Sequence, residues 1–178
     1  MVSKMDKAKG MAAGVGKQAG QAIKGRTGIY STLAKEHGMV DALLDELVRT
    51  TDRDAGRRRE LFAKVKTEVL SHAKAEDAAF YSPLATHPEL RDKIAESRND
   101  HAELEKLLNE LDVAAMDDPT WLRGVERLKD MVERHAEMEE NEVFPIADRL
   151  LSGSDERSVD AEFKSLKEVE KQRTSPSI

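Results

Sequence analysis

Four histidines, His37, His72, His101 and His135, stand where four successive helical stripes call for leucine or isoleucine. Apolar residues recurring at steps of three and four mark the buried face of an α-helix. The first stripe is Leu33, His37, Val40, Leu44 and Leu47; the second is Phe62, Val65, Val69, His72, Glu76 and Ala79. The third runs Leu90, Ile94, Ser97, His101, Leu104, Leu108 and Leu111, and the fourth Trp121, Val125, Leu128, Val132, His135, Glu139 and then Glu142 or Val143. A buried imidazole is costly without a hydrogen-bond or ligand partner. Each of the four is also followed four residues later by a carboxylate, in the pairs His37/Asp41, His72/Glu76, His101/Glu105 and His135/Glu139. Positions i and i+4 share one helix face, so a bundle of these helices gathers the pairs in one place.

The breaks between stripes set the helix bounds. The first helix is predicted from Thr27 to Thr50, ended by the polar run Thr51-Asp52-Arg53-Asp54, which also offers N-caps for the second. The second is predicted from Asp54 to Tyr81, where Ser82-Pro83 ends or bends it because the residue before proline avoids helical dihedrals. Thr86-His87-Pro88 starts a third helix to Asp112 and Asp117-Asp118-Pro119 a fourth to Leu151, each with proline at the first helical position. Pro145 lies inside the fourth and is expected to kink it, and Ser152-Gly153 closes it. Val159, Phe163, Leu166 and Val169 outline a shorter amphipathic helix docked outside the bundle, before a frayed tail from Thr174. The fold expected is all-α: an antiparallel up-down-up-down four-helix bundle over 28–152, with an extra C-terminal helix and tail over 153–178 and a Gly/Lys-rich arm over 1–27.

Composition narrows the chemistry. With 36% charged, 39% hydrophobic and 4% aromatic residues and five prolines, the chain suits helices. No cysteine is present, which excludes disulfides, thiolate metal sites and cysteine nucleophiles. The first 28 residues hold six of the ten glycines and carry +5, leaving −11 on the rest of a chain whose net charge is −6. That balance argues against nucleic-acid binding by the bundle. The arm is read as mobile or partly helical, because glycine weakens helices, and its Ala-rich apolar content is poorly suited to deep membrane binding. No apolar run approaches the ~18 residues of a membrane span and no signal-peptide core opens the chain, so a cytoplasmic protein is expected.

Glu76 and Glu139 lie on the buried stripes of the second and fourth helices, diagonal neighbours in such a bundle. A buried carboxylate without a counter-charge is expensive, and a multivalent cation neutralises it. One bridging carboxylate from each side leaves His37, His72, His101 and His135 to cap a metal pair. Asp41 and Glu105 sit one position beside their stripes, at the edge of the site or facing solvent. His87 lies off every stripe in a turn. Tyr30 and Tyr81 lie near the site and are read as packing residues. The competing reading of the pairs is a set of solvent-facing His–acid contacts, which the core positions of the histidines oppose.

The segments Lys35-Glu-His-Gly38, His72-Ala-Lys-Ala-Glu-Asp77 with Phe80-Tyr-Ser-Pro83, Asn99-Asp-His-Ala-Glu103, and His135-Ala-Glu-Met-Glu-Glu140 with Val143-Phe-Pro145 resemble the hemerythrin-like HHE cation-binding domain across residues 28–150. The two His-xxx-Glu segments, each running into an aromatic and a proline, are the most specific part. The resemblance implies an antiparallel four-helix bundle holding two iron ions in an oxo- or hydroxo-bridged non-heme centre. His37, His72, His101 and His135 would be terminal ligands and Glu76 and Glu139 bridges, with Glu105 as a further candidate.

One departure matters: oxygen-carrying hemerythrins have a second histidine where this chain has Glu105. More carboxylate makes a harder, more anionic site, suited to ferric iron. The function expected is therefore that of a di-iron protein binding or reacting with O2, peroxide or NO, in sensing, detoxification or peroxide disproportionation rather than bulk oxygen transport. The alternatives are an iron-binding protein without catalysis, a reversible oxygen carrier, or an interaction bundle whose basic arm does the work. A small diatomic ligand or peroxide is the expected partner; a sensor of this size would signal through an unidentified protein partner or the arm.

Overall fold

A computed structural model describes residues 27–174. The expected arm over 1–27 lies outside the described residues apart from Thr27, as does the expected tail apart from Thr174, which is the last residue of the final helix rather than frayed. Every regular element described is helical. Five long helices follow one another: α1 (Gly28–Val48), α2 (Ala55–Glu76), α3 (Pro88–Val113), α4 (Pro119–Met138) and α5 (Gly153–Thr174). No described helix is long and apolar enough to cross a membrane.

The helix starts follow their capping residues. Proline stands in the first turns of α3 and α4, and the Asp118 carboxylate accepts from the Thr120 backbone N–H at 2.7 Å. Ser152 and Asp155 exchange side-chain-to-backbone hydrogen bonds at 3.2 and 3.3 Å ahead of α5, the reciprocal arrangement of a capping box.

The ends of the second and fourth helices depart from expectation. Instead of continuing to Tyr81, α2 passes at Glu76 into a π-helical turn, Asp77–Tyr81, and resumes as a single α turn, Ser82–Leu84. Likewise α4 gives way to a π turn, Glu139–Val143, followed by an α segment, Phe144–Leu150. The Ser82 and Phe144 N–H groups donate five residues back, to the carbonyls of Asp77 and Glu139. Pro83 and Pro145 each stand two residues past the wide turn, without an N–H for the next α-type bond. The last helix, expected to be short, is 22 residues long.

The stripes of the first four helices are buried as the spacing predicts, apart from the half-buried His101, and Val143 rather than Glu142 completes the fourth; of the fifth stripe Val159 and Phe163 are buried, Leu166 is half-buried and Val169 is exposed. The buried residues form two apolar clusters. One gathers Val40, Leu44 and Leu47 with Phe62, Val65, Leu104, Leu108, Trp121, Val125 and Leu128. The other gathers Ile29, Tyr30 and Leu33 with Phe80, Tyr81, Leu90, Ile94, Phe144 and Phe163. Each of the first four helices runs from one cluster to the other, and the histidines and glutamates fall between them. Helix α1 packs on α2 and α4, α3 packs on α4 and more thinly on α2, and α5 lies along α2 and α1. At one end the buried Arg58 guanidinium ties two loops, donating to Thr50 Oγ1 at 2.9 Å and to the Met116 carbonyl, and it lies 5.6 Å from the Trp121 ring centroid.

Candidate metal centre

Between the two clusters, His37 from α1, His72 and Glu76 from α2, His101 from α3, His135 from α4 and Glu139 from the π turn converge. Both glutamates are 0% exposed and three of the histidines are buried; His101 is 11% exposed at its side chain. Glu76 Oε2 lies 3.5 Å from His72 Nε2 and 3.4 Å from His101 Nε2. Glu139 Oε2 lies 3.3 Å from His37 Nε2 and 4.0 Å from His135 Nε2. The Nε2 atoms of His101 and His135 face each other at 3.1 Å. Three overlapping groups, His37/His72/Glu76, His37/His135/Glu139 and Glu76/His101/His135, have donor atoms within 4.8 Å of one another.

Two of the other ring nitrogens are hydrogen-bonded from neighbouring helices. His37 Nδ1 is 3.0 Å from Glu140 Oε1, and His72 Nδ1 is 3.1 Å from Glu36 Oε2. His135 Nδ1 lies 3.6 Å from Asp100 Oδ2, an ion-pair distance without a hydrogen bond. A carboxylate on Nδ1 fixes the ring and its tautomer, leaving the Nε2 lone pair for a metal. Aromatic rings fill the remaining space: Tyr81 stacks on His101 at 5.6 Å, Phe144 on His37 at 6.5 Å, and Phe163 meets His72 edge-on at 5.6 Å.

Hydrogen bonding within the protein leaves a remainder of unpartnered buried atoms that is concentrated at this site. His37 Nε2, His72 Nε2, both Glu76 oxygens and Glu139 Oε2 are buried without an aligned hydrogen-bond partner. Buried polar atoms are normally paired, and these five point into one space. Ligands at right angles on a cation with bonds of about 2.1 Å stand ~3 Å apart, close to the spacings above. The residues present therefore fit a metal centre of imidazole and carboxylate donors.

Protonation follows the same geometry. Burial alone would push the His37 imidazole down, but Glu139 and Glu140 outweigh it and raise it to about 10. Burial also opposes charge on His72, yet Glu76 and Glu36 raise it. Burial would raise Glu76, and the surrounding imidazoles His72, His135 and His37 pull it below its ordinary value. His101 is pushed well below the usual imidazole range by burial and by His135 and His72. Burial first, then the Glu139 and Glu76 charges, hold Tyr81 far above an ordinary phenol, so its hydroxyl stays protonated and donates to Glu139 Oε1 at 2.6 Å.

The remaining sequence candidates fall elsewhere. Glu105 is exposed and stands outside the three groups, on the wall of a cleft of about 330 Å³ shared with His101, Lys74, Asp77 and Arg98. One residue beside the stripe is about 100° of helix rotation, enough to carry the side chain to the surface. Asp41, also beside its stripe, pairs with Lys129. His87 belongs to none of the groups and supplies the carbonyl that accepts from Leu90 and Arg91 at the start of α3. Tyr30 packs among Phe80 and Phe144 as expected, whereas Tyr81 does more than pack. Sequence reasoning missed Glu36, Asp100 and Glu140. A signal existed for two of them: an acid directly precedes the histidine in both Glu36-His37 and Asp100-His101, placed to serve the next helix rather than its own neighbour.

Known proteins agree with this architecture. A crystal structure of a hemerythrin HHE cation binding domain-containing protein from Mycobacterium kansasii superposes with a TM-score of 0.72, covering 83% of this chain and 90% of that one at 19% identity. That likeness shows the fold. A protein of Nostoc sp. named as a DNA nickase is 25% identical over 145 residues, 82% of this chain but 40% of its own length, so the chain spans less than half of that relative. The profile of the hemerythrin HHE cation binding domain matches residues 28–147. The chain belongs to the hemerythrin HHE cation binding domain family.

Proposed function

We propose that this chain is a non-heme di-iron protein that binds or reacts with O2, peroxide or NO, in sensing or detoxification rather than bulk oxygen transport. The observation that carries the reading is the set of buried, unpartnered donors on His37, His72, Glu76 and Glu139, which four histidines and two carboxylates surround. His37, His72, His101 and His135 would be the terminal ligands and Glu76 and Glu139 the bridges, with Glu105 outside the centre at the cleft. Two iron ions would supply redox chemistry and an open coordination position for a small ligand. The protein's own part is to orient His37 and His72 through Glu140 and Glu36, to place the Asp100 charge beside His135, to exclude water with the two apolar clusters, and to keep a proton on Tyr81 Oη beside Glu139. The antiparallel up-down-up-down course is part of the proposal, supported by helices that run alternately between the clusters. A cytoplasmic location is likewise proposed.

Nicking of DNA, the activity in the Nostoc relative's name, is a weaker reading, because −11 of net charge outside the arm repels a phosphodiester backbone. The test is to expose the iron-loaded protein separately to O2, NO and hydrogen peroxide. The proposal expects a change in visible absorption with at least one, or catalytic consumption of peroxide. An iron-loaded sample that responds to none of the three would overturn it.

A further inference from the structure

The family match ends at residue 147, yet α5, which begins at Gly153, touches the centre. Its buried face is Val159, Phe163 and Lys167. Phe163 is 0% exposed and sets its edge against the His72 ring. Lys167 occupies a core position at 4% exposure, where an apolar residue is expected. A buried ammonium is costly unless its counter-charges are well placed. Lys167 Nζ pairs with Glu36 Oε2, and lies 2.9 Å from Glu68 Oε2. Glu68 in turn takes Lys171 Nζ at 2.7 Å on its other oxygen. The Glu36 oxygen that Lys167 grips is the one 3.1 Å from His72 Nδ1.

The chain of contacts therefore runs from α5 through α1 to a candidate ligand on α2. Two roles are distinct. Lys167 with Glu68 and Lys171 fastens α5 to α2, and any buried ion network does that much. Lys167 with Glu36 does something further: it fixes the carboxylate that holds the His72 ring with Nε2 toward the centre. Partners that orient a ligating histidine are worth about 10- to 100-fold in metal affinity.

We propose that Lys167 is a positioning residue of the metal centre, acting through Glu36 on His72, so that a helix outside the family domain sets metal affinity at the His37/His72/Glu76 group. The proposal rests on the reading of that group as a metal site. The ring contact from Phe163 backs the same imidazole on another side and limits its tilt.

The experiment uses the full chain and ferrous iron added anaerobically, with affinity per site, the absorption spectrum and the apo-protein melting temperature as readouts. K167M is expected to weaken one of two iron sites about 10- to 100-fold and to shift the spectrum. E36Q is expected to do the same, and E36Q/K167M to be no weaker than E36Q alone, because the two act in series. E68Q removes a partner of Lys167 that does not touch His72; it should lower the melting temperature while both iron affinities stay within twofold. Unchanged iron affinities in K167M, additive losses in the double variant, or an equal loss in E68Q would overturn the proposal. If K167M does not fold, E36Q carries the test, and wild-type affinity in E36Q overturns it. H72A separates the two readings. Loss of one iron site in H72A with wild-type binding in K167M refutes Lys167 alone, whereas wild-type iron binding in H72A removes the site and the proposal together.

Discussion

The four histidines differ less in their Nε2 atoms, which share one space, than in what holds the rings behind. Glu140, Glu36 and Asp100 reach His37, His72 and His135 from neighbouring helices. Tyr81 plays the corresponding part for a carboxylate, satisfying one oxygen of Glu139 while the other faces the histidines. Tyr81→Phe leaves that buried oxygen unpaired, at a cost of about 1–3 kcal/mol, which denaturant unfolding of the metal-free protein will register as a lower midpoint with an unchanged slope. A second expectation concerns pH. His37, raised from 6.5 to about 10, contributes stability to the metal-free protein that is complete below 6.5 and lost as pH rises through 10. Glu76, held below its ordinary 4.5, contributes stability present above that value and lost on acidification. Metal-free protein should therefore be most stable between these limits and decline toward pH 10; unfolding midpoints that stay level from pH 6 to 10 would refute it. The ligand candidates on the stripes were legible because an imidazole or carboxylate in a leucine position is a local contradiction. Their supporting carboxylates were not, since each contact crosses between helices and no spacing along one helix encodes it.

Helix positions could be read from the steps of three and four and from the proline and Asx caps, and α1 and α3 lie within two residues of their expected ends. The π turns were illegible for a definite reason. One extra residue per turn leaves the apolar pattern nearly intact, and a stripe that allows either Glu142 or Val143 already conceals it. The consequence is functional: just after His135 the wide turn buries both Glu139 and Glu140, which face Glu139's neighbouring histidines and His37 Nδ1 respectively. The long α5 was underestimated because residues 153–158 and 170–174, at its two ends, carry no apolar side chain to extend the stripe. Gly38, one residue past His37, is exposed in the middle of α1 with nothing within 4 Å of an added Cβ. Gly38→Ala should stabilise the helix by about 0.5–1 kcal/mol, seen as a higher unfolding midpoint, with metal binding unchanged; destabilisation would mean that α1 needs flexibility beside its ligand.

At the scale of the molecule, a polar layer is sealed between two apolar clusters, and that layer is unsatisfied by the protein alone. Hydrophobic burial at both ends holds the helices, and so the donors between them, in place. Binding that is specific to the folded state then adds to stability, by about 4 kcal/mol at a free metal concentration a thousand times the Kd. We propose that this layer is a two-metal centre. Its most direct test is Mössbauer spectroscopy combined with elemental analysis on protein loaded anaerobically with ferrous iron and then oxidised. A two-metal centre should hold two irons per chain as a coupled, diamagnetic diferric pair, lost in His72→Ala and His135→Ala; protein that retains no iron, or one uncoupled ferric ion per chain, would rule it out.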